Sequence, residues 1–353
     1  MLEKVLMKGN EAVGEAAILA GCRHYFGYPI TPQNEIAAYM SQRMPQVGGV
    51  FLQAESEIGA INMVYGAAAA GKRTMTTSSS PGMSLKVECI SYLVGCDLPA
   101  VIMNIQRAGP GLGGIAPSQS DYFMITKACG HGDMKLLTFA PHTIQEIADL
   151  TMDAFDLADK YRTPVMLLSD GILGQMMEPV EFKPRELPEI DYSWACTTTQ
   201  GKRERNIINS MTLDIVYLDQ LNRNRFKRYD EIEKNEVRSE SYMMDDAEIV
   251  IVAYGACARV SKNAIDEARK KGIKVGLIRP VTLWPFPNSI LQEAAKKAKA
   301  FLTVEMSMGQ MIYDVRLAIE CSRPVDFLGR VGGMIPSLEE VLEKIENISK
   351  EVS

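Results

Sequence analysis

The stretch Val50–Ser78, VFLQAESEIGAINMVYGAAAAGKRTMTTS, decides the fold. VFLQ reads as a short strand, and Ser56 as the N-cap of an almost chargeless helix that closes at Gly71. RTMTTS supplies the next strand. Strand, helix and strand in so short a span form the unit of a parallel sheet covered by helices on both faces. The unit repeats outward. NEAVGEAAILA is a helix closed by Gly21, and CRHYFGYP a strand. Thr31-Pro32 reads as the cap and first position of another helix. Ser80-Pro81-Gly82 starts the helix GMSLKVECISYLVG. LPAVIMNIQ and TPVMLLSD flank the amphipathic helix HTIQEIADLTMDAFDLADKY as buried strands.

From Phe182 to Asp246 the pattern breaks into proline-punctuated and densely charged sequence, read as a linker with a surface helix. Alternation resumes with AEIVIVAYG, KVGLIRP, FLTVEMS and VDFLGR. The expected architecture is α/β: a doubly wound parallel sheet over 1–181, a linker over 182–245, and a smaller α/β domain over 246–353.

Composition narrows the function. Among 353 residues, 46% are hydrophobic and 23% charged, and the net charge is −6, so the overall field does not attract nucleic acid. MLEKVLMKGNE carries charges where a secretory apolar core would stand, and no segment is long and apolar enough for a membrane span. Seven cysteines form no C-x-x-C pair, which points to a reduced, cytoplasmic protein without a cluster or zinc site of its own. Cys89 and Cys96 lie seven apart, as on one helix face.

Ligands of doubly wound sheets bind at the carboxyl ends of strands. Four such ends carry unusual loops: GYPITP, QAESE, TSSSPG and QRAGPGLGGIAPSQSD. The last matches G-x-G-x-x-G at Gly109, Gly111 and Gly114. A dinucleotide site needs a helix opening inside that motif, and Pro110 and Pro117 interrupt it, so a nicotinamide site is a weak alternative. The three histidines, 24, 131 and 142, fall in no zinc or hydrolytic motif. Three side chains remain. Glu57 opens the apolar helix, either to complement its dipole or as a buried acid for proton relay. Arg107 ends a strand, either to grip a carboxylate or to pair with Asp121 or Asp133. Thr31 sits between Ile30 and Pro32, as a cap or a site hydroxyl.

The segments GNEAVGEAAILAGCRHYFGYPITPQNEIAAYM, QAESEIGAINMVYGAAAAGKRTMTTSSSPG and NIQRAGPGLGGIAPSQSDYF resemble the thiamine-diphosphate-dependent 2-oxoacid:ferredoxin oxidoreductases. GLIRPVTLWPFP and VEMSMGQM fit the same family. The likeness is to the pyrimidine-domain subunit, nearest to the 2-oxoisovalerate (3-methyl-2-oxobutanoate) branch; the 2-oxoglutarate branch is similar, but has an EDE-type motif where this chain has ESE.

The resemblance implies a thiamine-diphosphate pyrimidine-binding domain followed by a transketolase C-terminal-like domain. It implies that Glu57 hydrogen-bonds the cofactor's aminopyrimidine ring and so promotes deprotonation of the thiazolium carbon. Tyr28 and Pro29 would line the cofactor, and Ile30, Thr31 and Arg107 the substrate, with Arg107 on the 2-oxoacid carboxylate. It also implies what other chains supply. The G-D-G…N motif for magnesium and diphosphate is absent here, as are cysteines for iron–sulfur clusters. Those belong to a diphosphate-binding beta-type subunit, a gamma-type subunit and a ferredoxin-like iron–sulfur subunit. Coenzyme A and ferredoxin would complete the reaction. A non-catalytic assembly subunit of the same fold would tolerate loss of Glu57.

Overall fold

A computed structural model of the protein describes residues 4–183, 185–197 and 201–352. Its larger sheet runs Thr282–Trp284, Leu137–Phe139, Pro164–Asp170, Ala100–Gln106, Thr74–Ser78, His24–Gly27, Val50–Gln53. Every pairing is parallel except the one made by Thr282–Trp284 at the edge. Ala100–Gln106 and Pro164–Asp170 lie at the centre with every residue buried, which is why both read as continuous apolar runs.

Helices cover both faces. On one side Gly9–Leu19, Asn34–Gln46 and Ile144–Tyr161 pack around Val101, Met103, Val165 and Leu167. On the other, Glu57–Ala69 and Ser80–Gly95 pack over Ile102, Met166 and Leu168. Cys89 and Cys96 both face the Glu57 helix, toward Ile61 O and the Tyr65 hydroxyl.

The second sheet runs Val325–Gly329, Ala300–Glu305, Ile249–Val252, Val275–Pro280, Ser239–Tyr242, parallel except for the last strand. The core over the Glu57 side of the first sheet continues without a break into Val250, Val252, Ile278 and Phe301 of the second. A short antiparallel pair, Lys4–Lys8 with Met177–Glu181, stands apart.

Two features depart from the sequence pattern. The surface helix expected after Phe182 is present as Ile215–Asn235, but it buries Arg225, Tyr229 and Ile232, and the strand Ser239–Tyr242 follows it. Arg225 and Arg228 both reach Asp97, at 3.3 and 2.5 Å, so part of the charge run is an anchor. The helix expected to start at Thr31 starts at Asn34, with Gln33 at the cap position. Thr31 is therefore not an N-cap. Gln33 N closes a turn on Ile30 O, and Pro32 O accepts from Asn10 Nδ2 (2.8 Å) and Gln175 Nε2 (3.0 Å), which ties Pro32 sideways rather than into a helix.

The sheets are locked together by Gln119, which is fully buried. Its Nε2 donates to Tyr254 O at 2.9 Å, and its Oε1 accepts from Met306 N at 3.0 Å. Gln119→Ala should remove the acceptor of the buried Met306 N–H, while Tyr254 O keeps its bond from Ala258 N, lowering unfolding stability by about 1–3 kcal/mol. Urea denaturation checks this through a reduced midpoint at unchanged slope.

Candidate active site

The strands His24–Gly27, Val50–Gln53, Thr74–Ser78 and Ala100–Gln106 are neighbours in the sheet, so the four loops after them share one edge. The first turn of helix Ser80–Gly95 sits among these loops and organises them.

Ser56 caps the Glu57 helix, accepting from Gly59 N at 3.1 Å. That holds Glu57 at the helix mouth, 6% exposed, whereas Glu55 stays in solvent. No described residue donates a hydrogen bond to the Glu57 carboxylate. It lies against Gly82: a methyl group there would fall 2.4 Å from Glu57 Oε1 and 2.4 Å from Ser78 Oγ. The Ser78 hydroxyl is itself buried and unpartnered among the described residues. A buried carboxylate with free acceptor capacity fits a ligand that brings a ring N–H. One turn further along the helix lies Lys86, wholly buried, its Nζ donating to Thr76 Oγ1 at 2.6 Å and Thr77 O at 3.0 Å. Burial pushes its ammonium down to about 7, against the partial support of Glu57.

Arg107 ends its strand 7% exposed. Its backbone N donates to Ser80 Oγ at 3.0 Å, and that oxygen lies 2.6 Å from Asp121 Oδ2. Asn104 Nδ2 adds a second contact to Asp121 at 2.8 Å. Asp121 is therefore already held, its carboxyl pushed up by burial, and it makes no ion pair with Arg107. Neither does Asp133. The guanidinium instead donates to Thr31 O (Nη1, 3.0 Å) and Leu112 O (Nη2, 3.0 Å), leaving Nε buried without a partner among the described residues. A buried cation with only carbonyl partners attracts an anion.

The loop before Thr31 is braced from beneath. Tyr25 OH lies 2.6 Å from Thr77 Oγ1, which contacts Gln33 Oε1 at 2.5 Å, and Gln33 Nε2 donates to Tyr28 O at 3.1 Å. Tyr28, Ile30 and Thr31 are half-buried there, and Pro29 is exposed.

A cavity of about 660 Å³ opens beside Arg107. Ser84, Asp121 and Gln310 give it polar points, and Ala108, Pro110, Met124, Met308 and Val331 apolar walls. Gln310, after strand Ala300–Glu305 of the second sheet, closes it, accepting from Phe123 N and donating to Ser120 O, each at 2.7 Å. No helix opens within Gly109–Gly114; the next begins at Tyr122.

Residues 15–241 match the family described as pyruvate flavodoxin/ferredoxin oxidoreductase, thiamine diphosphate-binding, and residues 247–341 match pyruvate:ferredoxin oxidoreductase core domain II. The chain belongs to this ferredoxin oxidoreductase family.

Ketoisovalerate oxidoreductase subunit VorB of Methanothermobacter marburgensis is 52% identical over 349 residues, covering 98% of each chain. 2-Oxoglutarate synthase subunit KorA of Methanocaldococcus jannaschii is 36% identical, covering 95% of this chain and 97% of its own. Among solved structures, a 2-oxoglutarate:ferredoxin oxidoreductase from Magnetococcus marinus superposes with a TM-score of 0.88 at 25% identity. That match covers 99% of this chain and 66% of the other. A split-gene transketolase, at 13% identity and a TM-score of 0.60, shares the fold alone.

This family member is thus a subunit of a thiamine-diphosphate-dependent 2-oxoacid:ferredoxin oxidoreductase, and a nicotinamide site is not supported. Among the described residues no helix is long and apolar enough to cross a membrane, and no three His, Cys, Asp or Glu residues group as metal ligands.

Sequence reasoning missed Lys86, Ser78, Gly82 and Gln33. Lys86 left one signal: it interrupts the buried stripe Gly82, Met83, Cys89, Ile90 and Leu93.

Gly82→Ala should destabilise by about 1–3 kcal/mol, the usual range for overpacking, although alanine is the better helix former. Adding Glu57→Ala should recover part of that loss; a double-mutant cycle by urea unfolding measures the coupling.

Lys86 gives a pH signature. Its folded value of about 7 lies below the ordinary 10.5, so between them the unfolded chain binds more protons. This group's contribution to stability therefore rises with pH across that window. Lys86→Met should remove that slope, seen as wild-type stability gaining on the variant from pH 7 to 10.

Proposed function

We propose that this chain forms the aminopyrimidine side of a thiamine diphosphate site in an enzyme that oxidatively decarboxylates a branched aliphatic 2-oxoacid. The products are acyl-coenzyme A, carbon dioxide and reduced ferredoxin. The observation that carries the substrate class is the cavity beside Arg107. Its lining has one cation, Arg107, and walls that are mostly apolar. One guanidinium suits the single carboxylate of a branched 2-oxoacid, whereas 2-oxoglutarate would bring a second carboxylate with no second cation to meet it. Ketoisovalerate, for which the VorB relatives are named, has that chemistry.

Thiamine diphosphate, when bound, supplies the electron sink for decarboxylation. Glu57 would accept the aminopyrimidine ring N–H and hold that proton near its oxygen, with Gly82 leaving the carboxylate room to do so. Tyr28 and Pro29 would flank the cofactor. Arg107 would take the substrate carboxylate through its fork of donors, exchanging its bonds to Thr31 O and Leu112 O for stronger charge-assisted ones. Ile30 and Thr31 would border the substrate. The diphosphate and magnesium fall to a beta-type subunit, and electron transfer to gamma-type and ferredoxin-like iron–sulfur subunits. Exposed Ile58 and Leu85, beside buried Glu57 and Lys86, support a partner surface there. The cytoplasm suits seven unpaired cysteines.

The test uses the assembled complex, ranking 2-oxoisovalerate, 2-oxoglutarate and pyruvate by kcat/KM with coenzyme A and a viologen acceptor. The branched substrate should lead; a lead for 2-oxoglutarate would overturn the substrate class. Arg107→Ala should lower kcat/KM for all 2-oxoacids about ten- to a hundredfold, since a hydrogen bond to a charged group is worth about 1.5–3 kcal/mol. Arg107→Lys should lose much of the same, because a point charge does not reproduce the fork. Cofactor affinity should stay near wild type. If it fell instead, Arg107 would belong to the cofactor.

A further inference from the structure

Arg107 holds a loop as well as facing a cavity. Its Nη2 donates to Leu112 O at 3.0 Å, five residues on in the chain, and its Nη1 to Thr31 O. The guanidinium is planar, and Nη2 shares one edge with Nε–H, an edge that can grip a carboxylate side-on. On that edge Nε is buried and has no partner among the described residues, while Leu112 O sits on Nη2. Half of the fork is idle, and the other half is taken by the chain's own carbonyl.

The loop that supplies this carbonyl is closed at its base and loose at its tip. Ala108 N donates to Ala116 O at 2.8 Å, Gly114 N donates to Ala108 O at 2.9 Å, and Arg107 bridges to Pro117. Gly333, beyond strand Val325–Gly329, abuts the base so closely that a β-carbon there would collide with that of Ala116. Residues 109–115 are all exposed, Leu112 by 83%. A β-carbon on Gly109 or Gly111 would meet nothing within 4 Å. Among the described residues, the bond from Arg107 is the one hydrogen bond that reaches residues 109–113. Gly109, Pro110 and Gly111 meanwhile line the cavity beside Arg107. One wall of the cavity is thus fastened by the arginine that faces it.

We propose that residues 109–113 form a lid latched by the Arg107 bond to Leu112 O, and that the carboxylate of a 2-oxoacid releases it by taking the Nε/Nη2 edge. This rests on the substrate role given to Arg107 above. Because Nε is sealed from solvent, a carboxylate reaches that edge only as Leu112 O withdraws, so binding and opening are one event. The exchange is favourable. A neutral acceptor gives way to a charged one, the idle Nε–H gains a partner, and Leu112 O passes to water at an exposed tip. The carboxylate binds the unlatched state alone and so shifts the population toward it. A neutral ketone of similar shape has no charge with which to compete for the latch.

The latch is a backbone carbonyl, so a probe on the Leu112 side chain leaves it in place. A nitroxide is attached at Leu112→Cys in a chain whose exposed Cys321 is replaced by serine, and its mobility is read by EPR. In the full chain, adding Arg107→Ala should narrow the spectrum; identical spectra would overturn the proposal. In the assembled complex, before thiamine diphosphate is added, 2-oxoisovalerate should narrow it likewise. The ketone 3-methylbutan-2-one, with a methyl group in place of the carboxylate, should not. No narrowing with the 2-oxoacid, or equal narrowing with both, would overturn the lid.

Gly113→Ala releases the latch without touching Arg107. Gly113 has φ +58°, and an added methyl group would collide with Ala108 O, so the tip must leave its seat. With the internal competitor gone, KM for 2-oxoisovalerate in the assembled complex should fall about two- to tenfold, the worth of one neutral hydrogen bond. A loop that only shapes the cavity would leave KM unchanged or raise it, and either result would refute the latch. Turnover of Arg107→Ala separates this proposal from the reading it rests on. If kcat/KM stays near wild type, Arg107 does not bind the substrate and both fall. If kcat/KM drops for all 2-oxoacids while the label never moves, the substrate role stands and the lid alone is refuted.

Discussion

The hydroxyl of Ser80 lies between the Asp121 carboxyl and the backbone N–H of Arg107, and the site depends on that bond pair. It fixes where the Arg107 strand ends relative to the first turn of the Ser80–Gly95 helix. Two residues on, Gly82 leaves the gap that Glu57 enters from the neighbouring helix. An acid at a helix start and a guanidinium at a strand end are thereby referenced to a single helical turn. Pro81 starts that turn where a missing N–H does no harm. The glycine is required by space here and not by backbone angle, since any β-carbon would strike an oxygen.

The same turn concentrates groups that oppose folding. Lys86 is buried without an ion pair, Arg107 keeps a buried Nε without a partner, and the Ser78 hydroxyl has none among the described residues. Each would be better satisfied in water. Elsewhere the chain resolves such conflicts: Arg279, 2% exposed, is bracketed by Glu146 and Glu240 at 2.6 and 2.7 Å, and Arg73 by Asp156 and Asp159, each at 2.7 Å. The Arg279 and His142 contacts hold the Glu146 carboxyl down to about 2, against the effect of its own burial. Among the described residues the buried cations without an ion pair, Lys86 and Arg107, thus lie at or one turn behind the edge where the four loops meet, as expected where a site is kept ready for a ligand.

Much of this was legible in the sequence, for local reasons. Ser56 before an acid and an apolar run identifies the Glu57 helix, and the apolar strands ending in Gln106 and Asp170 identify the sheet's centre, because burial on both faces leaves continuous hydrophobic sequence. The misses are non-local. Thr282–Trp284 is three residues long, and only its pairing with Leu137–Phe139 makes it a strand. Pro32 has the sequence pattern of a helix start, but the contacts that hold its carbonyl come from Asn10 and Gln175, far away in the chain. A lone lysine in an apolar stripe, such as Lys86, ordinarily snorkels to solvent; here Thr76 and Thr77 hold it inside, and nothing in LKVEC announces them.

The sheet edge adds a last constraint. Val50–Gln53 is the outermost parallel strand, and it exposes Val50 and Leu52 while the helix after it exposes Ile58. An uncovered edge carrying apolar side chains is a liability that soluble chains ordinarily blunt with charge. Retained beside a buried carboxylate, it suits a surface covered by another subunit. Covering it would remove water from the mouth of the Glu57 helix and lower the effective dielectric there. Electrostatic interactions strengthen as the dielectric falls. A hydrogen bond between Glu57 and a ligand would then be weaker in the free chain than beneath a covering subunit.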